Sequence, residues 1–184
     1  MRRPKHVALL IGVGLLVVVG AASATRSHPY TNDVSASFNV SQVRAHSRTC
    51  TEMGNTFRVT NAVWRGTSVS SDARLDGTLT INTHAVVNET TGDGWLSGTW
   101  RTRAAQQARG RPRNPARSFA RLNAVIDNGN HADGLANGDA RRPYGKLLGN
   151  WSATIDGTTI TGELGSNTPV APDNSALIFK GGCP

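Results

Sequence analysis

Residues 75–87 read LDGTLTINTHAVV. Along this stretch apolar and polar side chains alternate with a period of two, so each set lies on its own face of an extended strand. Leu79 and Ile81 belong to the apolar face, whereas Asn82 and His84 belong to the polar one. A strand with one dry face and one wet face is typical of an antiparallel sheet that covers a core on one side.

The same alternation recurs on both sides of this stretch, and helical periodicity is nearly absent. Shorter alternating runs lie at residues 34–41, 57–64, 96–100, 147–155 and 159–164. Turn-forming residues separate the runs, as at 91–94 (TGDG) and 127–130 (DNGN), and Asp156-Gly157 predicts a two-residue hairpin turn of type I′. Strands at hairpin spacing predict an all-β protein, a single antiparallel β-barrel or alternatively a sandwich, of about eight strands.

Three of the runs share the pattern apolar-x-Gly-x-apolar, at residues 75–79, 96–100 and 160–164. A glycine inside a strand weakens it unless the strand bends or another backbone comes close. Glycines at equivalent strand positions are typical of the kinks that let a sheet curl and close on itself. The pattern therefore favours the closed barrel.

The N-terminus is typical of a secretory signal peptide. A basic start is followed by an apolar run at residues 7–19 and by Ala22-Ser23-Ala24, small residues at the spacing a signal peptidase accepts. We therefore expect the protein to be secreted, with no transmembrane span after cleavage. The alternative is an uncleaved N-terminal membrane anchor, because residues 7–24 are about as long as the shortest membrane span.

The expected organisation has three parts. Residues 1–24 form the signal peptide, residues 25–49 form an N-terminal strand and a polar connection, and residues 50–184 form the barrel domain. Cys50 and Cys183 are the two cysteines of the chain, and in an exported protein such a pair predicts a structural disulfide. We expect this bridge to close the barrel domain.

Basic residues outnumber acidic ones by 20 to 12. Removal of residues 1–24 takes away three basic residues and no acidic one, which leaves a net charge of about +5. Seven arginines crowd into residues 101–121, where no acidic residue occurs. Guanidinium groups suit phosphate, sulfate and carboxylate groups. The candidate anion-binding residues are Arg109, Arg111, Arg113 and Arg117.

This basic segment predicts an anionic glycan or a phosphate polymer as partner. Nucleic acid is not the predicted ligand, because proteins that bind it interleave basic and aromatic side chains, and Phe119 is the one aromatic residue between Trp100 and Tyr144. The alternative interpretation of the segment is a solvated loop that binds nothing, since charge runs are often plain surface.

Catalytic and metal-binding signatures are not found in the sequence. Neither a G-x-S-x-G elbow, nor H-E-x-x-H, nor a glycine-rich phosphate loop occurs. The Asp- and Asn-rich residues 127–134 do not have the spacing of a calcium loop, and we interpret them as turn chemistry. No cofactor and no metal are therefore predicted.

Trp95 and His84 are the candidate ligand-contact residues. Trp95 follows a turn and lies on the strand face opposite Trp100, which is predicted to belong to the core together with Trp151. His84 lies on the polar face of residues 75–87 and would reach a ligand in the barrel lumen only if that polarity were inverted. Aromatic side chains with a polar neighbour are common in binding sites for small molecules and sugars.

Several motifs resemble a group of secreted bacterial β proteins that has no assigned activity. They are residues 64–68 (WRGTS), 86–95 (VVNETTGDGW), 169–172 (PVAP) and 181–183 (GGC). In general shape the chain is also similar to the small barrels of allene oxide cyclases, dirigent proteins and lipocalins. These resemblances imply a secreted β protein and give no catalytic residue, because a shared fold does not specify function.

From the sequence we expect a secreted, non-enzymatic binding module. Its ligand is a small apolar molecule in the lumen or an anionic polymer on the arginines. The alternatives are a small barrel enzyme of the cyclase or isomerase type and a structural protein of the cell envelope. The oligomeric state is left open.

Overall fold

Eight antiparallel strands form a closed barrel, in which each strand pairs with the next and β8 returns to pair with β1. A computed structural model gives the structure of residues 35–72, 75–104, 117–141, 145–166 and Cys183. The strands are β1 (Ser35–Glu52), β2 (Asn55–Ser70), β3 (Gly77–Asn88), β4 (Gly94–Ala104), β5 (Arg117–Asp127), β6 (His131–Arg141), β7 (Gly145–Asp156) and β8 (Thr159–Ser166). The predicted barrel of about eight strands is confirmed, and the alternative sandwich is excluded.

Alternate residues of each strand fill the barrel interior. In β1 the predicted apolar face is buried, as Ala36, Phe38 and Val40 show. The stretch at 75–87 forms β3 only from Gly77 onward, because the chain is still turning at Leu75, whose N–H donates to the Asp72 carbonyl at 2.9 Å. Leu75 is nevertheless buried in the same core, so its predicted environment is confirmed although its predicted strand is not.

Three tryptophans supply much of the bulk at the centre of the barrel. Trp64, Trp100 and Trp151 are all buried, which confirms the predicted core positions of the last two. The ring of Trp100 meets the ring of Phe38 edge to face, with 5.0 Å between the centroids. Such contacts stabilise a core beyond the area that they bury.

Glycines mark the places where neighbouring strands come closest. A Cβ added at Gly134 of β6 would lie 1.8 Å from the Asn123 carbonyl oxygen of β5. Gly98 and Gly162, from the repeated pattern, also face inward. A Cβ added at these positions would lie 2.5 Å from the Asn82 carbonyl oxygen and 2.3 Å from the Ser152 carbonyl oxygen, respectively. The close approach that the glycine pattern predicted is therefore present, and it allows the sheet to curl into a closed surface.

The four hairpin turns after β1, β3, β5 and β7 lie at one end of the barrel, which we call the upper end. The opposite end, where β2 and β4 end and β3 and β5 begin, is the lower end. The turns at 91–94 and 127–130 are confirmed in position. The type I′ turn predicted at Asp156-Gly157 is wrong, because Asp156 pairs with Thr159 and the two loop residues are Gly157 and Thr158. Only Gly157 has a positive φ, as in a type II′ turn, since β-branched Thr158 avoids that conformation.

The β1–β2 hairpin extends beyond the barrel. β1 pairs with β8 only from Ser35 to Ser41, and the rest of the strand pairs with β2 alone among the described strands. The expected polar connection before residue 50 is therefore strand, and the expected domain boundary lies inside β1. The predicted signal peptide lies outside the described residues, and so do residues 176–179 (ALIF), a further apolar run of the sequence. Within the described ranges, no helix is long and apolar enough to cross a membrane.

The predicted disulfide joins Cys50, in the extended part of β1, to Cys183, with 5.8 Å between the Cα atoms. The barrel is closed by the β1–β8 hydrogen bonds, whereas the bridge fastens the end of the chain to the hairpin. It spans 133 residues of sequence, for which chain entropy predicts a stabilisation of roughly 4–5 kcal/mol.

We expect the Cys50→Ser/Cys183→Ser variant to fold and to unfold at a lower temperature, because its unfolded chain is no longer restrained. A loss of roughly 2–5 kcal/mol corresponds to a fall in Tm of several degrees or more. Differential scanning calorimetry of both proteins measures the difference. An unchanged Tm would show that the bridge contributes nothing to stability.

Gly134→Ala tests the close approach between β5 and β6. Because the added methyl group meets a backbone oxygen that cannot rotate away, we expect a loss of at least about 2 kcal/mol in the free energy of unfolding. The matched control is Asn137→Ala, an exposed outward position on the same strand, which should change little. Urea titration compares the two, and equal stabilities would contradict the close approach.

Candidate functional site

The outer faces of β3, β4 and β5 form one continuous surface between the two ends of the barrel. Asp127, at the upper end of β5, is the one acidic residue in these three strands. From the upper to the lower end, β4 presents Trp95, Ser97, Thr99, Arg101 and Arg103. The outward residues of the flanking strands are His84, Asn82, Thr80 and Thr78 of β3, and Val125, Asn123, Arg121, Phe119 and Arg117 of β5.

The lower half of this surface is basic. We use the name arginine cluster for five outward residues of β2, β4 and β5: Arg65, Arg101, Arg103, Arg117 and Arg121. All five are exposed. Within the described ranges, no Asp or Glu carboxylate forms an ion pair with any member of the cluster. The cluster is therefore an excess of positive charge that faces solvent.

Arg103 and Arg117 lie directly opposite each other on β4 and β5. Like charges that face each other across paired strands destabilise a sheet. The sheet therefore concentrates positive charge at its lower end, where alternating signs would be the more stable arrangement.

Arg101 is held in place by an aromatic ring. Its guanidinium carbon lies 5.7 Å from the centroid of Phe119, which is directly opposite on β5. Phe119 is 37% exposed, so part of its ring is accessible to solvent. A guanidinium that stacks on a ring keeps the N–H groups along its edge free for an anion.

Of the four predicted anion-binding residues, Arg117 begins β5 and belongs to the cluster. Arg109, Arg111 and Arg113 lie outside the described residues, between the ends of β4 and β5. Sequence analysis missed Arg65 as a partner of this group, because it is 36 positions before Arg101 along the chain. The register brings the two together, since both pair with Thr80 of β3.

The predicted ligand-contact residues meet at the upper end of the same surface. The rings of His84 and Trp95 are 5.2 Å apart between centroids, and we call these two residues the aromatic patch. His84 Nδ1 also shares a hydrogen bond of 2.8 Å with Asn61 Oδ1. His84 therefore lies outside the barrel and does not point into the lumen.

One side of Trp95 rests on a small apolar cluster outside the barrel. Phe57, Val59 and Val86 are buried there, and the Cys50–Cys183 disulfide packs against them together with Trp95. This support fixes the position of the indole, which is half-buried, whereas the other three tryptophans of the chain are buried in the core. Trp95 is thus the one tryptophan that a ligand in solution can reach.

A band of hydroxyl and amide groups connects the aromatic patch to the arginine cluster. We call it the polar band; its members are Asn82, Ser97, Thr99 and Asn123. Asn82 Nδ2 donates to Thr99 Oγ1 at 3.2 Å, and Asn123 is directly opposite Ser97. Because outward residues recur about every 6.7 Å along a strand, Trp95 and Arg103 are separated by about 27 Å.

The interior offers different chemistry. The buried polar side chains that face inward are Ser68, Thr83, Thr102 and Ser118, and no ionisable side chain is buried in the described part of the chain. Trp64 Nε1 donates to Thr83 Oγ1 at 2.9 Å, and Trp100 Nε1 donates to Thr102 Oγ1. Trp151 Nε1 and Ser68 Oγ are buried without a hydrogen-bond partner. The described interior therefore contains hydroxyl groups that bind two of the three buried tryptophans, and no pair of acid and base.

Among the described residues, no group of three or more His, Cys, Asp and Glu side chains is placed to hold a metal ion. In the segment at 127–134, interpreted above as turn chemistry, residues 128–130 form the β5–β6 turn and the rest of the segment belongs to the two strands. His131 Nε2, in β6, lies 2.8 Å from Asp133 Oδ2.

Comparison with known proteins returned no relative: no family model, no curated protein and no solved structure matches the chain. The outer surface therefore has to be interpreted from its own geometry.

Acrylamide quenching tests the position of Trp95. We expect a small fraction of the tryptophan emission to be quenched readily, since only Trp95 of the four is accessible, and Trp95→Phe should remove that fraction while the buried emission persists. A loss of quenching in Trp64→Phe instead would contradict the assignment.

Proposed function

We propose that this protein is an extracellular, non-enzymatic binding protein that holds an anionic polymer on its outer face. The observation that carries the proposal is the register that sets Arg103 directly against Arg117, with Arg101 and Arg121 beside them and no carboxylate paired to any of them among the described residues. The proposed extracellular location of the protein is supported by the signal-like residues 1–24 and by the disulfide.

The opposed arginines favour a ligand because they cost the free protein stability. Each directly opposed like pair is unfavourable by up to about 1 kcal/mol. An anionic group that lies between the two guanidinium groups relieves the repulsion and accepts charge-assisted hydrogen bonds from both. Binding of an anion at this position therefore both removes the repulsion and adds hydrogen bonds.

A polymer suits the cluster better than a small anion. Its five guanidinium groups are spread over three strands and over several residues along β4, so no single phosphate or carboxylate reaches them all. A chain with regularly spaced anionic groups contacts many arginines at once, and each weak contact raises the effective concentration of the next group.

The outer face is favoured over the lumen because the described interior is occupied by its own side chains. Trp64, Trp100, Trp151 and Phe38 fill the centre, and the inward polar groups are hydroxyls. A cyclase or isomerase that relies on a polar pair would need such a pair inside, and His84, the candidate for that role, lies outside beside Asn61.

We expect Arg103→Gln/Arg117→Gln to weaken binding of both polygalacturonate and polyphosphate by roughly tenfold, because both polymers lose charge-assisted hydrogen bonds to the two guanidinium groups. The same variant should be as stable as the parent or slightly more stable, because the opposed charges are gone. Isothermal titration calorimetry and thermal unfolding measure the two effects.

The matched control is Arg44→Gln/Arg48→Gln, which removes the same charge from exposed positions on the extended part of β1. We expect it to bind almost as the parent does. Binding should also weaken steeply between about 50 mM and about 500 mM salt, where charge screening becomes short-ranged. Equal losses in both double variants would reject the cluster as the site, and absence of binding to either polymer would reject the function.

A further inference from the structure

We infer that the polymer is an acidic polysaccharide, which lies along β4 with a sugar ring on Trp95 and its acidic groups over the arginine cluster. This inference rests on the proposed function and adds the chemical class of the ligand. It follows from the order of the outward side chains of β4, which change from aromatic through hydroxyl to guanidinium along a single strand.

The aromatic patch supplies the first argument. The faces of a sugar ring carry C–H groups, which pack on the face of an indole, while the ring hydroxyls remain directed sideways toward hydrogen-bonding groups. Trp95 is half-buried and packs against Phe57, Val59 and Val86, so it is held in place before any ligand binds. Preorganisation of this kind lowers the entropic cost of binding.

The polar band supplies the second argument. Ser97, Thr99 and Asn123 offer uncharged donors and acceptors between the aromatic patch and the arginines. Sugar hydroxyl groups are donors and acceptors of the same kind and match such a surface. A polyphosphate has neither apolar ring faces nor a set of hydroxyl groups along its chain, so it uses only the arginine cluster.

The spacing of the groups completes the argument. Trp95 and Arg101 are about 20 Å apart along β4, and the two outward positions between them are Ser97 and Thr99. A ligand that uses both ends must therefore be extended, and it must offer uncharged polar groups in its middle section. An acidic polysaccharide meets both requirements, because hydroxyl groups accompany every acidic group along its chain.

The experiment is acrylamide quenching of the wild-type protein in the presence of four polymers. Polygalacturonate has acidic groups and sugar rings, polyphosphate has charge without rings, and dextran has sugar rings without charge. Oligothymidylate has charge and sugar rings, and it also carries nucleobases. We expect saturating polygalacturonate to reduce the quenching of Trp95 about fivefold. Polyphosphate should bind without protecting Trp95, and dextran should bind weakly. Oligothymidylate should protect Trp95 less than polygalacturonate does, because its deoxyribose–phosphate chain offers no series of hydroxyl groups to the polar band.

A variant provides a second readout that does not disturb the apolar cluster beneath Trp95. We expect Asn123→Ala to weaken polygalacturonate binding about fivefold, through the lost hydrogen bonds, and to leave polyphosphate binding unchanged. The matched control is Thr161→Ala, an exposed outward residue of β8 on another side of the barrel, which should affect neither polymer.

The outcomes separate this inference from the proposed function. Two results would contradict the inference that the ligand is an acidic polysaccharide and leave the proposed binding of an anionic polymer intact. One is that polyphosphate or oligothymidylate protects Trp95 as well as polygalacturonate does. The other is that polygalacturonate binds and leaves Trp95 unprotected. If Arg103→Gln/Arg117→Gln binds every polyanion as the parent does, the proposed function itself fails.

Discussion

The pairing of β1 with β8 is the constraint on which the rest of the structure depends. Seven residues of β1, from Ser35 to Ser41, pair with Gly165 to Thr159 of β8 and convert a meander of eight strands into a closed surface. No helix covers either face of the sheet in the described part of the chain, so an open sheet would expose its apolar face and two unpaired edges. Closure gives all inward side chains one common interior.

Closure also determines where function can lie. Because tryptophan and aliphatic side chains fill most of the described interior, the described charged groups of the strands lie on outward positions. On β3, β4 and β5 the outward side chains form an uninterrupted surface, with aromatic residues at the upper end and arginines at the lower end. The disulfide packs against the same small apolar cluster as Trp95, so one covalent bond both restrains the chain and adds to the cluster on which the aromatic patch rests.

The arginine cluster costs this barrel stability, and under the proposed function an anionic polymer offsets that cost when it binds. Opposed guanidinium groups at Arg103 and Arg117 weaken the β4–β5 pairing, and the cation–π contact of Arg101 with Phe119 holds one charge in position. The glycines and the packed core offset that cost, because they hold the register that places these charges together. A protein that needed only a stable barrel would gain by replacing one arginine of the pair with an acidic residue.

The sequence by itself determined the strands, their alternation and the two cysteines that pair. It placed Trp100 and Trp151 inside and Trp95 on the opposite face, because a period of two assigns faces within one strand. It did not determine the turn at Gly157-Thr158 or the strand character of residues 43–49. Above all, only the tertiary structure set Arg103 against Arg117 and brought Arg65 near Arg101. Those neighbours depend on the register between strands, which is fixed by turn geometry, glycine contacts and closure of the whole barrel, and local alternation carries no information about it.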